Sequence, residues 1–153
     1  MAKVADLGLE GVVAKRLDSR YTPGRRSSAW IKHKLRRLER LALTGVRRRS
    51  DGTTEAVFVA RQRPDGSVSP AGSIELGLRS NLMQELELRL AELPARRRGA
   101  IAFYPPEVSV LASLHGLPDG PVRDAVLCEI APSTSGGSTE RVERLTGARI
   151  GIA

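Results

Sequence analysis

At 153 residues and 41% hydrophobic content, the chain has material for one core of roughly a hundred residues and a short appendage, not for two full domains. A single cysteine and two histidines exclude an internal disulfide and a zinc site of the usual type. No apolar run could span a bilayer and no signal-peptide pattern appears, so a soluble, cytoplasmic chain without membrane contact is expected. The net charge of +8 is segregated: residues 1–49 carry +10 and the remainder −2. A cationic first third of this kind suits a polyanionic partner.

The first predicted strand is Gly8 to Ala14, β-branched in its second half and carrying Glu10 near its start. A basic, weakly apolar stretch from Asp18 to Ser28 follows, with a Pro23-Gly24 turn signal. The run Ala29-Trp30-Ile31-Lys32-His33-Lys34 is the second strand. Its lysines at i and i+2 project from one face, shared with Trp30, while His33 points away. Only four lysines stand against twenty-one arginines, and three of them, Lys15, Lys32 and Lys34, fall in the two short runs Glu10 to Lys15 and Ala29 to Lys34. Paired ammonium groups near a carboxylate suit phosphoryl or nucleotidyl transfer, in which lysines neutralise phosphate oxygens and the carboxylate meets a divalent metal.

Leu38 to Val46 reads as the next strand, and Arg47 to Gly52 as a charged turn. Glu55 to Arg61 is the clearest strand of the chain, with Arg63-Pro64-Asp65-Gly66-Ser67 as a hairpin turn and Val68 to Leu76 returning. A helix then begins with Asn81 and Gln84 as a capping pair. It buries a stripe of Leu82, Leu86, Leu90 and Leu93 and stops at Pro94. Strands over Ala100 to Tyr104, Glu107 to Leu114 and Val122 to Ile130 complete the series. Phe58, Phe103 and Cys128 are expected in the core, His115 in a loop, and Arg96-Arg97-Arg98 in a solvated turn or on phosphate. From Pro132 onward the composition is that of a flexible linker and tail.

Two stretches together resemble a family. Glu10-Gly11-Val12-Val13-Ala14-Lys15 and Ser19 through Lys34 resemble the fourth and fifth nucleotidyltransferase motifs of ATP-dependent DNA ligases, in particular the bacterial end-joining type. The likeness is dense from Leu7 to Leu35 and continues in register to about Ile130, where the sequence is similar to the ligase OB domain. The fold it implies is mainly β: a five-stranded OB barrel with one helix, preceded by a two-strand remnant of the nucleotidyltransferase domain. Residues 1–35 would be that remnant, 36–132 the OB domain with a hinge near Leu35 to Leu38, and 133–153 the tail.

By the same resemblance Lys32 and Lys34 contact nucleotide phosphate, Lys15 closes the first motif, and Glu10 stands near the metal. The odd separation of Lys15 from Glu10 puts them on opposite strand faces unless a bulge at Gly11 intervenes. Arg20, Arg25, Arg26, Arg36 and Arg37 are the expected DNA contacts, with nicked duplex DNA as partner. ATP and Mg²⁺ are implied for a complete enzyme, and neither is expected to bind tightly to this chain alone. The family's adenylated lysine lies in a Lys-x-Asp-Gly motif that this sequence lacks, since Lys3-Val4-Ala5-Asp6 has the wrong spacing and no glycine. The closing Arg-x-Asp-Lys motif is also absent: no lysine follows Lys34, and Arg123 in Gly120 to Leu127 only resembles the approach to it. The expectation is therefore the C-terminal region of a DNA repair ligase, alone catalytically incomplete. A non-catalytic OB module binding DNA, and a half-enzyme completed by a separate chain with the missing N-terminal adenylation domain, are the competing readings.

Overall fold

The computed structural model describes residues 4, 7, 9–20, 23–25, 28–115 and 119–131. Two sheets carry the described residues. The first is an antiparallel pair, β1 (Gly11–Lys15) and β2 (Trp30–Lys34), in the register Gly11↔Lys34, Val13↔Lys32 and Lys15↔Trp30. The backbones approach so closely that a Cβ at Gly11 would collide with the carbonyl oxygen of His33. Glycine is needed there because no side chain fits between the strands.

The second sheet begins with β3 (Arg37–Arg48), whose twelve residues organise the barrel. Its first half, Arg37 to Ala42, pairs with β8 (Ser109–His115), and Gly45 to Arg47 pairs with β7 (Ile101–Phe103). A register shift between Leu43 and Gly45 separates the two stretches. The irregularity bends β3 and lets one long strand serve two partners. On its other edge β3 pairs with β4 (Thr54–Gln62), which returns as β5 (Val68–Ile74). The Asp65-Gly66 turn is as its sequence demands: Gly66 takes φ 81°, and Asp65 Oδ1 accepts from the Ser67 amide at 2.9 Å and hydroxyl at 2.6 Å. β8 continues to β9 (Arg123–Ala131), and a short strand β6 (Arg96–Arg98) adds to β7 as an edge.

Five strands thus lie in the spatial order β5-β4-β3-β8-β9, and the ring shuts where β5 meets β9. Leu76 and Val126 form a parallel bridge, the Leu127 amide donates to Leu76 O at 2.9 Å, and the Val122 amide to Ala71 O at 2.8 Å. Gly77 makes the seam possible, since its φ is 77° and a Cβ there would lie 2.6 Å from Leu127 O. α1 (Ser80–Leu90), between β5 and the later strands, lays Leu86 and Leu90 onto a core of Leu41, Leu43, Val57, Val59, Ile74, Val110, Leu114 and Leu127. This is the strand order and helix placement of an OB fold, with a seam of a few bonds where other barrels have a full ladder. Leu82 packs against the core from its margin, so three of the four expected leucines lie on the face the helix buries, while Leu93 reaches the core from beyond the helix end.

Several local expectations are corrected. The N-cap is Arg79, two residues before Asn81, with no side-chain capping bond, so Asn81 and Gln84 do not cap the helix. It ends at Leu90, before Pro94 is reached. His115 is not loop: it ends β8 only 7% exposed, its Nδ1 2.7 Å from Leu35 O. Cys128 is exposed rather than buried, because β9 shifts register between Glu129 and Leu127 and the extra residue leaves the inward alternation. Phe103 stands on the outer face at 41% exposure and Phe58 is half-buried there, while Val57 and Val59 on either side of Phe58 point inward. Arg96 to Arg98 form an edge strand instead of a turn. Arg47 and Arg48 end β3 in ion pairs, Arg47 Nε to Glu55 at 2.7 Å and Arg48 to Glu87 at 2.6 Å. Lys3, Tyr21, Arg26 and everything from Pro132 onward lie outside the described residues.

Candidate nucleic-acid interface

Directly opposed residues of an antiparallel pair share a face. The β1–β2 register therefore puts Lys15, Lys32 and Lys34 on one face with Val13 and Trp30, and His33 and Ile31 on the other. Successive same-face positions along β2 lie about 6.7 Å apart. Lys15 Nζ rests 4.0 Å from the centroid of the Trp30 ring, a cation–π contact that props one ammonium beside the other two. All three lysines are exposed. Lys32 has no ion-pair partner among the described residues.

Glu10 stands just before β1, with its carbonyl oxygen accepting from the Leu35 amide at 2.9 Å. Its backbone is therefore locked beside Lys34 and Leu35. The carboxylate and the Lys34 ammonium are both met from the barrel by one dipeptide. Asp124 Oδ2 accepts from Lys34 Nζ at 2.8 Å, and the Arg123 guanidinium lies 3.8 Å from Glu10. Asp124 can reach because β9 bulges at its start, where the register with β8 shifts, and the residue takes φ 46°, a region aspartate tolerates better than most. Arg36, in the two-residue link between β2 and β3, fixes the bulge from below. It donates to Asp124 O at 2.6 Å and to Ser113 Oγ and O, both at 2.9 Å. The link itself is pinned by His115 on Leu35 O.

The other expected contacts divide by what already occupies them. Arg20 and Arg25 are exposed on the basic loop. Arg37 pairs with Glu39 at 2.9 Å, and Glu39, only 17% exposed at its side chain, also holds Arg61 at 2.5 Å. That network braces the barrel. Spacing in sequence offered no sign of the Arg123-Asp124 clasp, since Lys34 lies 90 residues from Asp124 and Glu10 lies farther still from Arg123.

Lys34 holds the Asp124 carboxyl below the usual carboxylate range, chiefly through the hydrogen bond, with His115 and Arg36 adding to it. A carboxyl depressed in the folded state contributes stability above its unfolded value of about 4 and loses it as pH falls through the lower folded value. The clasp is thus expected to be constant at neutral pH and released only in acid below about pH 4. Emission from Trp30, the one tryptophan of the chain, should step in that range. The step should be missing from Asp124→Asn; its persistence there would assign it to another group.

Among the described residues no three His, Cys, Asp or Glu side chains cluster as a metal site. Glu10 can offer Mg²⁺ one ligand, which suits that ion only where phosphates and water supply the rest.

Comparison with known proteins accounts for this arrangement. Residues 1–34 match the family described as ATP dependent DNA ligase domain. The ligase domain of Mycobacterium tuberculosis LigD superimposes with a TM-score of 0.56 and 27% identity over 87% of this chain and 48% of that one. Over most of its length the chain matches the C-terminal portion of ATP-dependent DNA ligases. A probable DNA ligase of Streptomyces griseus is 32% identical over 120 residues, 76% of this chain and 24% of the relative. A DNA ligase of Methanoculleus marisnigri is 35% identical over 112 residues, 70% of this chain and 20% of the relative. The chain therefore spans about a quarter or less of the curated relatives it matches and about half of the LigD ligase domain, and the part it spans corresponds to their C-terminal region. No helix among the described residues of this ligase segment is long and apolar enough to cross a membrane.

Proposed function

We propose that this ligase segment supplies the phosphate-gripping strand pair and the barrel of an ATP-dependent enzyme that seals nicks in duplex DNA during repair. The supporting observation is the shared face of Lys15, Lys32 and Lys34: three ammonium groups on a rigid two-stranded support, with Glu10 at its mouth. Such a face stabilises charge on phosphate oxygens at a reacting centre. Lys32 is free to engage a phosphate at once, whereas Lys34 must exchange the Asp124 carboxylate for it. Arg20 and Arg25, with Arg26 beside them in sequence, extend the positive surface toward the duplex. Arg36 and Arg37 contribute by holding the link between hairpin and barrel, at the boundary of the 1–35 and 36–132 domains. ATP would supply the adenylyl group and Mg²⁺ would help neutralise its phosphates, in the cytoplasm where both are at hand. Glu10 is the residue of this chain that would meet the ion.

The sequence holds no Lys-x-Asp-Gly motif to carry AMP, so the chain incubated with α-labelled ATP and Mg²⁺ is expected to take up no label. Adding a polypeptide that bears such a motif should restore sealing of a nicked duplex. Label on this chain alone would show that another of its nucleophiles performs the covalent step.

A further inference from the structure

The outer face of the barrel carries a second surface, built from β3, β4, β6 and β7 rather than from the lysine hairpin. Gly45 of β3 is opposed by Phe58 of β4 on one side and Phe103 of β7 on the other. The two rings close over it: a Cβ on Gly45 would lie 3.4 Å from Phe103 and 3.5 Å from Phe58. The same face continues onto β6, where Arg96 opposes Phe103 and Arg98 opposes Ile101. Arg96, Arg97 and Arg98 are exposed and in no ion pair among the described residues. On the far side Arg47 lies 5.8 Å from the Phe58 ring, but Glu55 and Glu75 balance its charge. The uncompensated charge is thus confined to the β6 side of the aromatic pair.

Edge strands are often blunted with charge to prevent pairing with other chains, and that purpose would account for the arginines alone. It does not account for an aromatic ring left 41% exposed next to them. Nor does it explain a glycine, which gives two rings on neighbouring strands an uninterrupted floor. Flat aromatic area flanked by guanidinium groups is what unpaired bases and their phosphates require, since every base offers a π face and every linkage a negative charge. We infer that the Phe58–Phe103 face with Arg96 and Arg98 binds single-stranded DNA, two bases on the rings and the adjoining phosphates on β6. This deepens the DNA-joining reading while using none of the residues that carry it.

Anisotropy of the full chain with a labelled oligothymidylate of about 15 nucleotides, and with an abasic strand of equal length, tests the proposal. The base-bearing strand should bind more tightly. Phe103→Ala should weaken it roughly tenfold and leave the abasic strand unchanged. Phe103→Leu, which keeps apolar bulk at an exposed site, should lose most of the same preference. Arg96→Ala with Arg98→Ala should weaken both strands and flatten the salt dependence by about 1.4 in slope. Lys32→Ala with Lys34→Ala should spare the single strand and weaken only nicked duplex. Equal binding of the two strands with a silent Phe103→Ala would overturn the proposal. So would a single-strand affinity that falls with the lysines and not with Phe103, although the lysine-face reading would then stand. Capture of an acidic peptide in preference to either strand would also overturn it.

Discussion

Replacing Lys32 and Lys34 together with alanine is expected to weaken binding to nicked duplex DNA by roughly a hundredfold at low salt. Each lost charge-assisted contact accounts for roughly tenfold, and the salt dependence should flatten by about 1.8 in slope, two phosphates' worth of released counterions. The two single variants should not be equal. Lys32 meets the phosphate without giving up a partner, whereas Lys34 first surrenders Asp124, so Lys32→Ala should be the more damaging. Asp124→Asn should act in the opposite sense, tightening the duplex roughly several-fold, since an exposed ion pair is weak competition. A salt titration by anisotropy on wild type and the four variants settles this; equal slopes for wild type and double variant would remove phosphate contact from the lysine face.

Leu43→Ala is expected to be the most damaging change to the barrel. Leu43 is 0% exposed and stands in β3 beside the register shift where the strand passes from one partner to another. Removing it leaves a cavity that β3, tied on both edges, cannot close, and the expected loss is about 3 kcal/mol. For a domain of this size that corresponds to a fall in Tm of roughly 12–24 °C. Leu88→Ala on the outer face of α1, where the side chain is 74% exposed, should stay within about 0.5 kcal/mol. Thermal melts followed by circular dichroism compare them, and a similar Tm for both variants would mean that the core does not depend on the β3 junction.

Much of this fold was legible because its signals are local. Period-two alternation in Glu55 to Arg61, the Asp65-Gly66 turn and the leucine stripe of α1 each act over a few residues, and each produced the element it announced. The Lys32/Lys34 face was legible for the same reason, since i and i+2 on a strand leave no freedom. What sequence did not reveal depends on bulges and on partners far along the chain. One extra residue in β9 turned Cys128 outward, and a glycine in β3 let Phe103 and Phe58 remain outside. The place of Lys15 relative to Glu10 was open for a related reason, because it turned on a bulge at Gly11; its grouping with Lys32 and Lys34 comes from the β1–β2 register. The Arg123-Asp124 clasp depends on a left-handed backbone residue that composition does not announce.

The outward turn at Cys128 has a practical outcome. The chain's one thiol is solvent-facing, in β9 rather than on the hairpin or the aromatic face, so it can be exchanged for serine without emptying the interior. A thiol-free background then accepts two spectroscopic probes of choice, one on the hairpin and one on the barrel. The separation between them can be followed as a broken duplex arrives.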